Sequence, residues 1–417
     1  MERYKEYKTS VVPGIKEIPA HWKEILNGIL FRENVRKPLK NDVPLSLSQK
    51  DGLIPTDLMK ESSLKTSSYD NWKRVIRHDL VLNRFKAHLG VMMSSDYEGM
   101  VSFHYGVYEP RMPLITKYYE LLYHTEVYKG IYAYTSNGMT IGLQNLSNLA
   151  FYGIKGLYPP FEEQNKIVKY IERKTSKIDA YIAEKEKEVQ LLNELKEAEI
   201  AKVVTQGLNP GVKMRDCGIS WIGMIPDHWE VTKISSLFFE RREKVSDKDY
   251  PALSVSKQGI TPQLDTAVKT DNGDNRKKVC VGDFVVNSRS DRKGSCGVSP
   301  YTGSVSLINI VLQPRNNIVG QYYHYLFRSN DYIEEFYRIG RGIVADLWTT
   351  RYSEMRNIMI PYPPVDEQQA IVAYINDKCT KITTLISELE SEIDYLKEYK
   401  HRLIADCVTG QVNVQNI

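Results

Sequence analysis

The stretch YPPFEEQNKIVKYIERKTSKIDAYIAEKEKEVQLLNELKEAEIAKVVT, residues Tyr158 to Thr205, decides the architecture. It opens on two prolines and then contains no proline or glycine. Pro159 and Pro160 cannot continue a helix from upstream, but proline is tolerated in a first turn. Glu162 and Glu163 suit the positive end of a helix dipole. The residues after them are rich in Ala, Leu, Glu and Lys, all good helix formers. Gly207 and the turn Asn209-Pro210-Gly211 stop it. This predicts one helix of roughly 44 residues, about 66 Å long at ~1.5 Å per residue. Such a helix is too long to hide inside one domain, so it is a spacer or half of a coiled coil.

The stretch occurs twice. Tyr362-Pro363-Pro364-Val365-Asp366-Glu367-Gln368 opens a second copy, and Gln164, Ile167, Tyr170, Ile178, Val189 and Leu192 meet Gln368, Ile371, Tyr374, Ile382, Ile393 and Leu396. In the second copy Ile382, Ile386, Leu389, Ile393, Leu396 and Leu403 step by four and three, with Lys400 interrupting. That is the spacing of a coiled-coil seam. The first copy keeps Ile178, Ile182, Val189 and Leu192 but places Lys185 and Lys196 on the seam. Two such helices in one chain are expected to pair with each other.

The repeat extends beyond the helices. Ile18-Pro19-Ala20-His21-Trp22 returns as Ile225-Pro226-Asp227-His228-Trp229, and Asp79-Leu80-Val81-Leu82-Asn83 as Asp283-Phe284-Val285-Val286-Asn287. Leu45-Ser46-Leu47-Ser48 returns as Leu253-Ser254-Val255-Ser256. The chain is therefore a duplicated unit, globular part then long helix. We place the globular parts at 1–157 and 208–361, the first helix at 158–207, and the second helix with a C-terminal tail at 362–417. The fold class is α+β. Strands are expected at 79–83, 283–287, 100–107 and 304–312, with final strands at 151–157 and 355–360, and helices at 118–124 and 322–327. His21, His228, Trp22 and Trp229 read as packing or capping residues.

Composition narrows the function. The 417 residues are 42% apolar, with no run near the ~20 apolar residues of a membrane helix. Five scattered cysteines indicate neither a disulfide framework nor a zinc site, and a cytoplasmic location is expected. The helical stretches 162–205 and 366–408 carry −1 and −4, so with +4 overall the remainder carries +9. Basic globular parts suit a polyanion. Before the matched strands lie Lys73-Arg74-Val75-Ile76-Arg77 and Asn275-Arg276-Lys277-Lys278; after them lie Arg84-Phe85-Lys86-Ala87-His88 and Ser288-Arg289-Ser290-Asp291-Arg292-Lys293. A matched scaffold carrying unmatched basic segments is what two modules reading two base sequences need.

Catalytic signals are missing. Tyr158-Pro159-Pro160-Phe161 has the outline of the Asp/Asn-Pro-Pro-Tyr/Phe motif of amino-methyltransferases, but Tyr158 cannot accept the hydrogen bond from the target amine. No GxxxxGK[ST] loop is present, and the eight histidines show no metal-ligand spacing.

Gly218-Ile219-Ser220-Trp221-Ile222-Gly223-Met224-Ile225-Pro226-Asp227-His228-Trp229-Glu230 and the two Pro-Pro-x-x-Glu-Gln stretches resemble the specificity subunit of type I restriction-modification systems, along the whole chain. The first copy departs over Val12 to Ile18, which lacks the Trp-Ile-Gly. The resemblance implies a non-catalytic reader of double-stranded DNA. Two recognition domains each bind half of a split, asymmetric site, and the helices pack antiparallel to hold them apart; half-sites one turn apart lie ~34 Å apart on the duplex. It implies methyltransferase subunits, two of them, and a motor-nuclease subunit as partners. S-adenosylmethionine, ATP and Mg are expected there and no cofactor or metal in this chain. Candidate DNA contacts in the first domain are Lys73, Arg74, Arg77, Arg84, Lys86, His88 and Asn137. In the second they are Arg276, Lys277, Lys278, Ser288, Arg289, Arg292, Lys293 and Arg341. Glu163, Gln164, Glu367 and Gln368 are candidate partner contacts. The alternative function is a duplicated coiled-coil adaptor that binds only protein.

Overall fold

The computed structural model of the chain describes residues 2–48, 52–59, 69, 71–136, 145–263, 273–315, 318–342 and 348–415. Two long helices run over Phe161–Gln206 and Val365–Val408, 46 and 44 residues. Each has two carboxylates in its first turn, Glu162 and Glu163, Asp366 and Glu367. Each ends before a glycine in the left-handed region, Gly207 (φ 75°) and Gly410 (φ 74°), where a Cβ would be strained. The chain forms two compact units. The first is 1–185 with 391–417, the second 186–390. Each unit thus holds one globular domain and a stretch of both helices.

In the first unit a four-stranded antiparallel sheet has the order Phe31–Glu33, Tyr105–Pro110, Leu80–Asn83, Met92–Ser94. Strand side chains alternate between faces, and the sheet divides its strands accordingly. Leu80, Leu82, Met92 and Tyr108 enter a core with Tyr118, Tyr119, Tyr123, Tyr128 and Tyr132. Val81, Met93 and Val107 pack on the other side with Leu45, Leu47 and Leu53. The second unit repeats this with Phe238–Glu240, Asn309–Pro314, Phe284–Asn287 and Cys296–Val298. Phe284, Val286, Ile310 and Leu312 face one core, Val285 and Val311 the other.

The strands expected at 100–107 and 304–312 are each two strands. Gly99–Val101 pairs with Lys73–Val75, and Tyr105–Pro110 joins the large sheet. Gly303–Val305 pairs with Arg276–Val279, and Asn309–Pro314 joins the large sheet. A turn at 102–105 or 306–309 carries the chain between sheets, so one apolar run serves two cores. The final strands are also shorter than expected. Short helices Asn148–Gly153 and Tyr352–Met355 come first, then Lys155–Tyr158 and Met359–Tyr362 pair with Lys23–Leu26 and Glu230–Lys233. These strands deliver the chain to the proline pairs.

The joint between domain and helix is built alike in both units, with Tyr4 as an added donor and fuller burial in the first. Glu163, buried, accepts from Tyr4 Oη at 2.5 Å and Trp22 Nε1 at 3.1 Å through Oε1, and lies 2.8 Å from His21 Nε2 through Oε2. Glu367 meets His228 Nε2 at 2.5 Å and accepts from Trp229 Nε1 at 2.9 Å. Gln164 and Gln368 are fully buried. Gln164 Oε1 accepts from Ile115 N at 2.9 Å and its Nε2 donates to Pro159 O at 2.9 Å. Gln368 repeats both bonds with Val319 N at 2.9 Å and Pro363 O at 2.8 Å. Buried polar groups need such partners.

Within each unit the helices pack antiparallel along the expected seam. In the first unit Asp179 meets Lys400 at 2.6 Å, and Lys185, further along its helix, meets Glu392, further back on the other, at 3.3 Å. In the second, Lys196 Nζ donates to Thr383 Oγ1 at 3.1 Å, while Glu199 accepts from Tyr374 Oη at the earlier end of the second helix. Ile182, Leu389, Ile393 and Leu403 are buried. The lysines that interrupt the apolar seam therefore each have a polar partner, a device that specifies register.

The opening turns differ. Ile15 N donates to Val12 O and Ile222 N to Ile219 O, both at 3.1 Å, so the two turns match. The third position is Gly14 in one and Trp221 in the other. Trp221 packs edge-on against Tyr332, ring centres 5.6 Å apart. Gly14, at φ 87°, instead borders an apolar groove of about 730 Å³ lined by Val11, Val12, Val127, Ile131 and Tyr134.

Candidate nucleic-acid interface

The basic segments before the matched strands are themselves strands, and most of their cations act inside the fold. Lys73 Nζ, buried, donates to Glu33 Oε1 at 2.7 Å and Tyr105 O at 2.8 Å. Lys277 Nζ does the same to Glu240 Oε1 at 3.2 Å and Asn309 O at 2.8 Å. Both lysines thereby hold the last residue of the turn between the two sheets. Arg276 is buried and donates to Ser304 Oγ at 2.9 Å and Ser304 O at 3.1 Å; burial draws its guanidinium below the usual arginine range. Arg74 pairs with Asp42 at 3.3 Å and Glu98 at 3.1 Å, and Lys278 with Glu243 at 2.9 Å. Arg77, in the next turn, is exposed.

The segments after the strands lie at the end of the sheet where Asn83 faces Tyr105 and Asn287 faces Asn309. Each begins with the same cap. Asn83 Oδ1 accepts from Phe85 N and Asn287 Oδ1 from Arg289 N, both at 3.1 Å. Each is tied to a later segment by the same bond, Leu146 N to Arg84 O and Thr350 N to Ser288 O, both at 3.0 Å.

In the second unit this tie gathers residues far apart in sequence. Thr349 forms backbone bridges with both Arg289 and Arg341, and Ser290 N donates to Trp348 O at 2.9 Å. Arg289, Arg292, Lys293 and Arg341 thus share one exposed surface. Their acidic neighbours are exposed or distant: Asp291 lies 3.1 Å from Arg289 and 3.7 Å from Arg292, Glu334 3.0 Å from Lys293, and Glu354 3.9 Å from Arg341. Exposed pairs of this kind are weak and can be exchanged for phosphate oxygens or base edges. Ser288 is buried and donates to Ile308 O at 2.5 Å. A cleft of about 430 Å³ beside the cluster is lined by Ser290, Lys293, Tyr337, Arg338 and Trp348.

The first unit presents something else. Arg84 stands where the second copy has Ser288 and turns inward, to Glu33 at 2.6 Å and Asn148 Oδ1 at 2.8 Å. Asn148 also donates to Glu33. Burial pushes the Glu33 carboxyl up, but the Lys73 hydrogen bond and the Arg84 and Lys73 charges outweigh it, and the net shift is downward. Lys86 is exposed and His88 half-buried. The exposed surface is aromatic: Phe85 and Phe103 flank His104, with ring centres 5.6 and 3.9 Å from it. Asn137 lies outside the described residues. Glu163, Gln164, Glu367 and Gln368, candidates for partner contacts, are used in the joints.

No model of a known protein family matches the chain. It is 23% identical over 432 residues to the putative type I restriction enzyme MjaX specificity subunit of Methanocaldococcus jannaschii, covering 96% of each chain. The type I restriction enzyme MjaVIII specificity subunit of that organism matches at 23% over 295 residues, 66% of each chain. This chain is a relative of type I restriction enzyme specificity subunits. Solved specificity-subunit folds agree. The HsdS subunit from Thermoanaerobacter tengcongensis superposes with a TM-score of 0.55 at 16% identity, over 97% of this chain and 100% of that one. A chain from a study of complex assembly and conformational transition of the type I R-M system gives 0.70 at 16% identity, over 95% and 99%. The mixed fold with two sheet-rich domains and paired long helices is the one these HsdS-like chains share. Among the described residues no helix is long and apolar enough to cross a membrane.

Sequence reasoning passed over Phe103, His104, Leu307, Ile308 and Trp348. The first four occupy matched turns, Ser-Phe-His-Tyr and Ser-Leu-Ile-Asn, and that alignment was the available signal.

Proposed function

We propose that this chain is the DNA-reading subunit of a type I restriction-modification complex, with no catalysis of its own. One observation carries the reading: two copies of one scaffold, with the same joint, present unlike exposed surfaces at the same end of the sheet. The recognition domains are 1–157 and 208–361, and the helices 158–207 and 362–417 are the spacer that joins them. Each domain reads one half of a split site in double-stranded DNA. Exposed cations such as Lys86, Arg292 and Lys293 set register on phosphates, and Arg289 and Arg341 are placed to reach base edges. Two methyltransferase subunits and a motor-nuclease subunit are the partners. They bring S-adenosylmethionine, ATP and Mg, so the chemistry is done at a place this chain chooses. The work is cytoplasmic, where the DNA is.

The test is exchange. Asp227–Pro361 is replaced by the matching segment of another such subunit, and methylated sites are mapped in cells that also express the methyltransferase. One half of the methylated sequence should change and the other stay. Both halves changing together would sink the modular reading. Absence of any sequence-dependent DNA binding would favour a protein-only adaptor.

A further inference from the structure

The turns between the two sheets are unusual in the same way in both units. Tyr105 N donates to Ser102 O and Asn309 N to Ser306 O, each at 3.0 Å, so the turns match bond for bond. Central turn positions favour Gly, Pro, Asn, Asp and Ser. Here they hold Phe103-His104 and Leu307-Ile308. These side chains stand in water: Phe103 is 51% exposed, Leu307 40% and Ile308 38%. Leaving them there forgoes ~25 cal/mol for every Å² of apolar surface kept wet. One such turn would be unremarkable, but the same exposure occurs at the same place in both copies although neither central residue is shared.

Both turns are held from behind in the same way. A lysine, Lys73 or Lys277, props the last turn residue from behind and is itself neutralised by Glu33 or Glu240. Both turns also touch the basic loops, through the Phe85–His104 ring contact in one unit and the Ser288–Ile308 bond in the other. An apolar tip beside exposed cations, Lys86 in the first unit and Arg242, Lys244 and Arg351 around Leu307 in the second, fits a polyanion that offers apolar groups between its charges. In the major groove of DNA that group is the thymine methyl.

We propose that Phe103, backed by the His104 ring, and Leu307-Ile308 are apolar fingers, one per domain, that read thymine methyl groups in the two half-sites. The proposal rests on the DNA-reading function above. The fingers supply binding that releases no counterions, while the neighbouring cations supply the salt-dependent part.

The test uses the full chain with its methyltransferase subunits and DNA carrying the mapped site. Leu307→Ser with Ile308→Asn keeps turn-forming residues and should weaken cognate binding about fourfold for each thymine methyl no longer covered. The slope of log affinity against log salt should not change. Arg292→Ala should make that slope shallower by about one. Uracil in place of thymine in the half-site read by that domain should cost the natural protein a similar factor and cost the variant nothing. Phe103→Ser with His104→Asn should behave likewise at the other half-site. A thermal melt matching the natural protein establishes that the variants are folded. Variants that bind as the natural protein does, a uracil swap without effect, or a loss that tracks salt would each overturn the fingers while leaving the DNA-reading function intact. A natural protein that selects no sequence would overturn both.

Discussion

The joint and the tip of each domain have diverged to different degrees since duplication. At the joint, His21, Trp22, Glu163 and Gln164 find the same partners as His228, Trp229, Glu367 and Gln368, at distances differing by a few tenths of an ångström or less. At the tip, the shared features are the Asn83 and Asn287 side-chain caps and the backbone ties to Leu146 and Thr350. The other exposed side chains differ: Phe85, Lys86, Phe103 and His104 in one unit, and Arg289, Arg292, Lys293 and Arg341 beside Leu307 and Ile308 in the other. A carboxylate bound to a buried indole N–H, and a fully buried amide, leave few substitutions that keep every donor and acceptor satisfied. An exposed tip has no such internal duty, so its residues are free to follow an external partner.

Matched substitutions sharpen this contrast. Trp22→Ala and Trp229→Ala each remove a buried indole and a donor to the joint glutamate, and should each cost about 3–5 kcal/mol, read as two similar losses in chemical denaturation. Unequal losses would break the equivalence of the joints. Arg289→Ala with Arg292→Ala should leave stability within about 0.5 kcal/mol. It should lower discrimination by ~1–3 kcal/mol for each base edge no longer read, at one half-site only, in competition binding with half-site mutants. Equal weakening at both half-sites would contradict separate tips.

The smallest effect concerns a position where the units solve one problem differently. Ser94 N donates to Glu120 Oε2 at 2.8 Å, and at the matching place Val298 N donates to His324 Nδ1 at 3.2 Å. His324 must be neutral to accept. Burial, with help from Arg328, lowers its pKa to about 4. The folded state therefore binds fewer protons than the unfolded state between about 6.5 and 4. Stability falls as pH drops through that window, by on the order of 1 kcal/mol at pH 6. His324→Gln keeps an acceptor and should flatten this part of the stability–pH curve for the second unit. A curve unchanged by the substitution would remove His324 as its source.

The long helices, their seam, the duplication and the matched strands were legible in the residues. They rest on local rules, such as helix propensity between proline and glycine stops and apolar spacing by threes and fours. The tip loops were legible as a basic contrast between copies. The use of individual cations was not. Lys73 and Lys277 look like any surface lysine of a basic run, yet Glu33 and Glu240, from strands well upstream, draw them inward. Gln164 and Gln368, at exposed-looking helix starts, are taken up by Ile115 and Val319. Arg341 joins Arg289 only because Thr349 bridges both. Local residue order dictated which segments are helix or strand and that the unit is repeated. Which charges face the solvent was settled by long-range packing, because a cation turns inward only where the fold brings a carboxylate and a carbonyl close enough to offset its lost hydration.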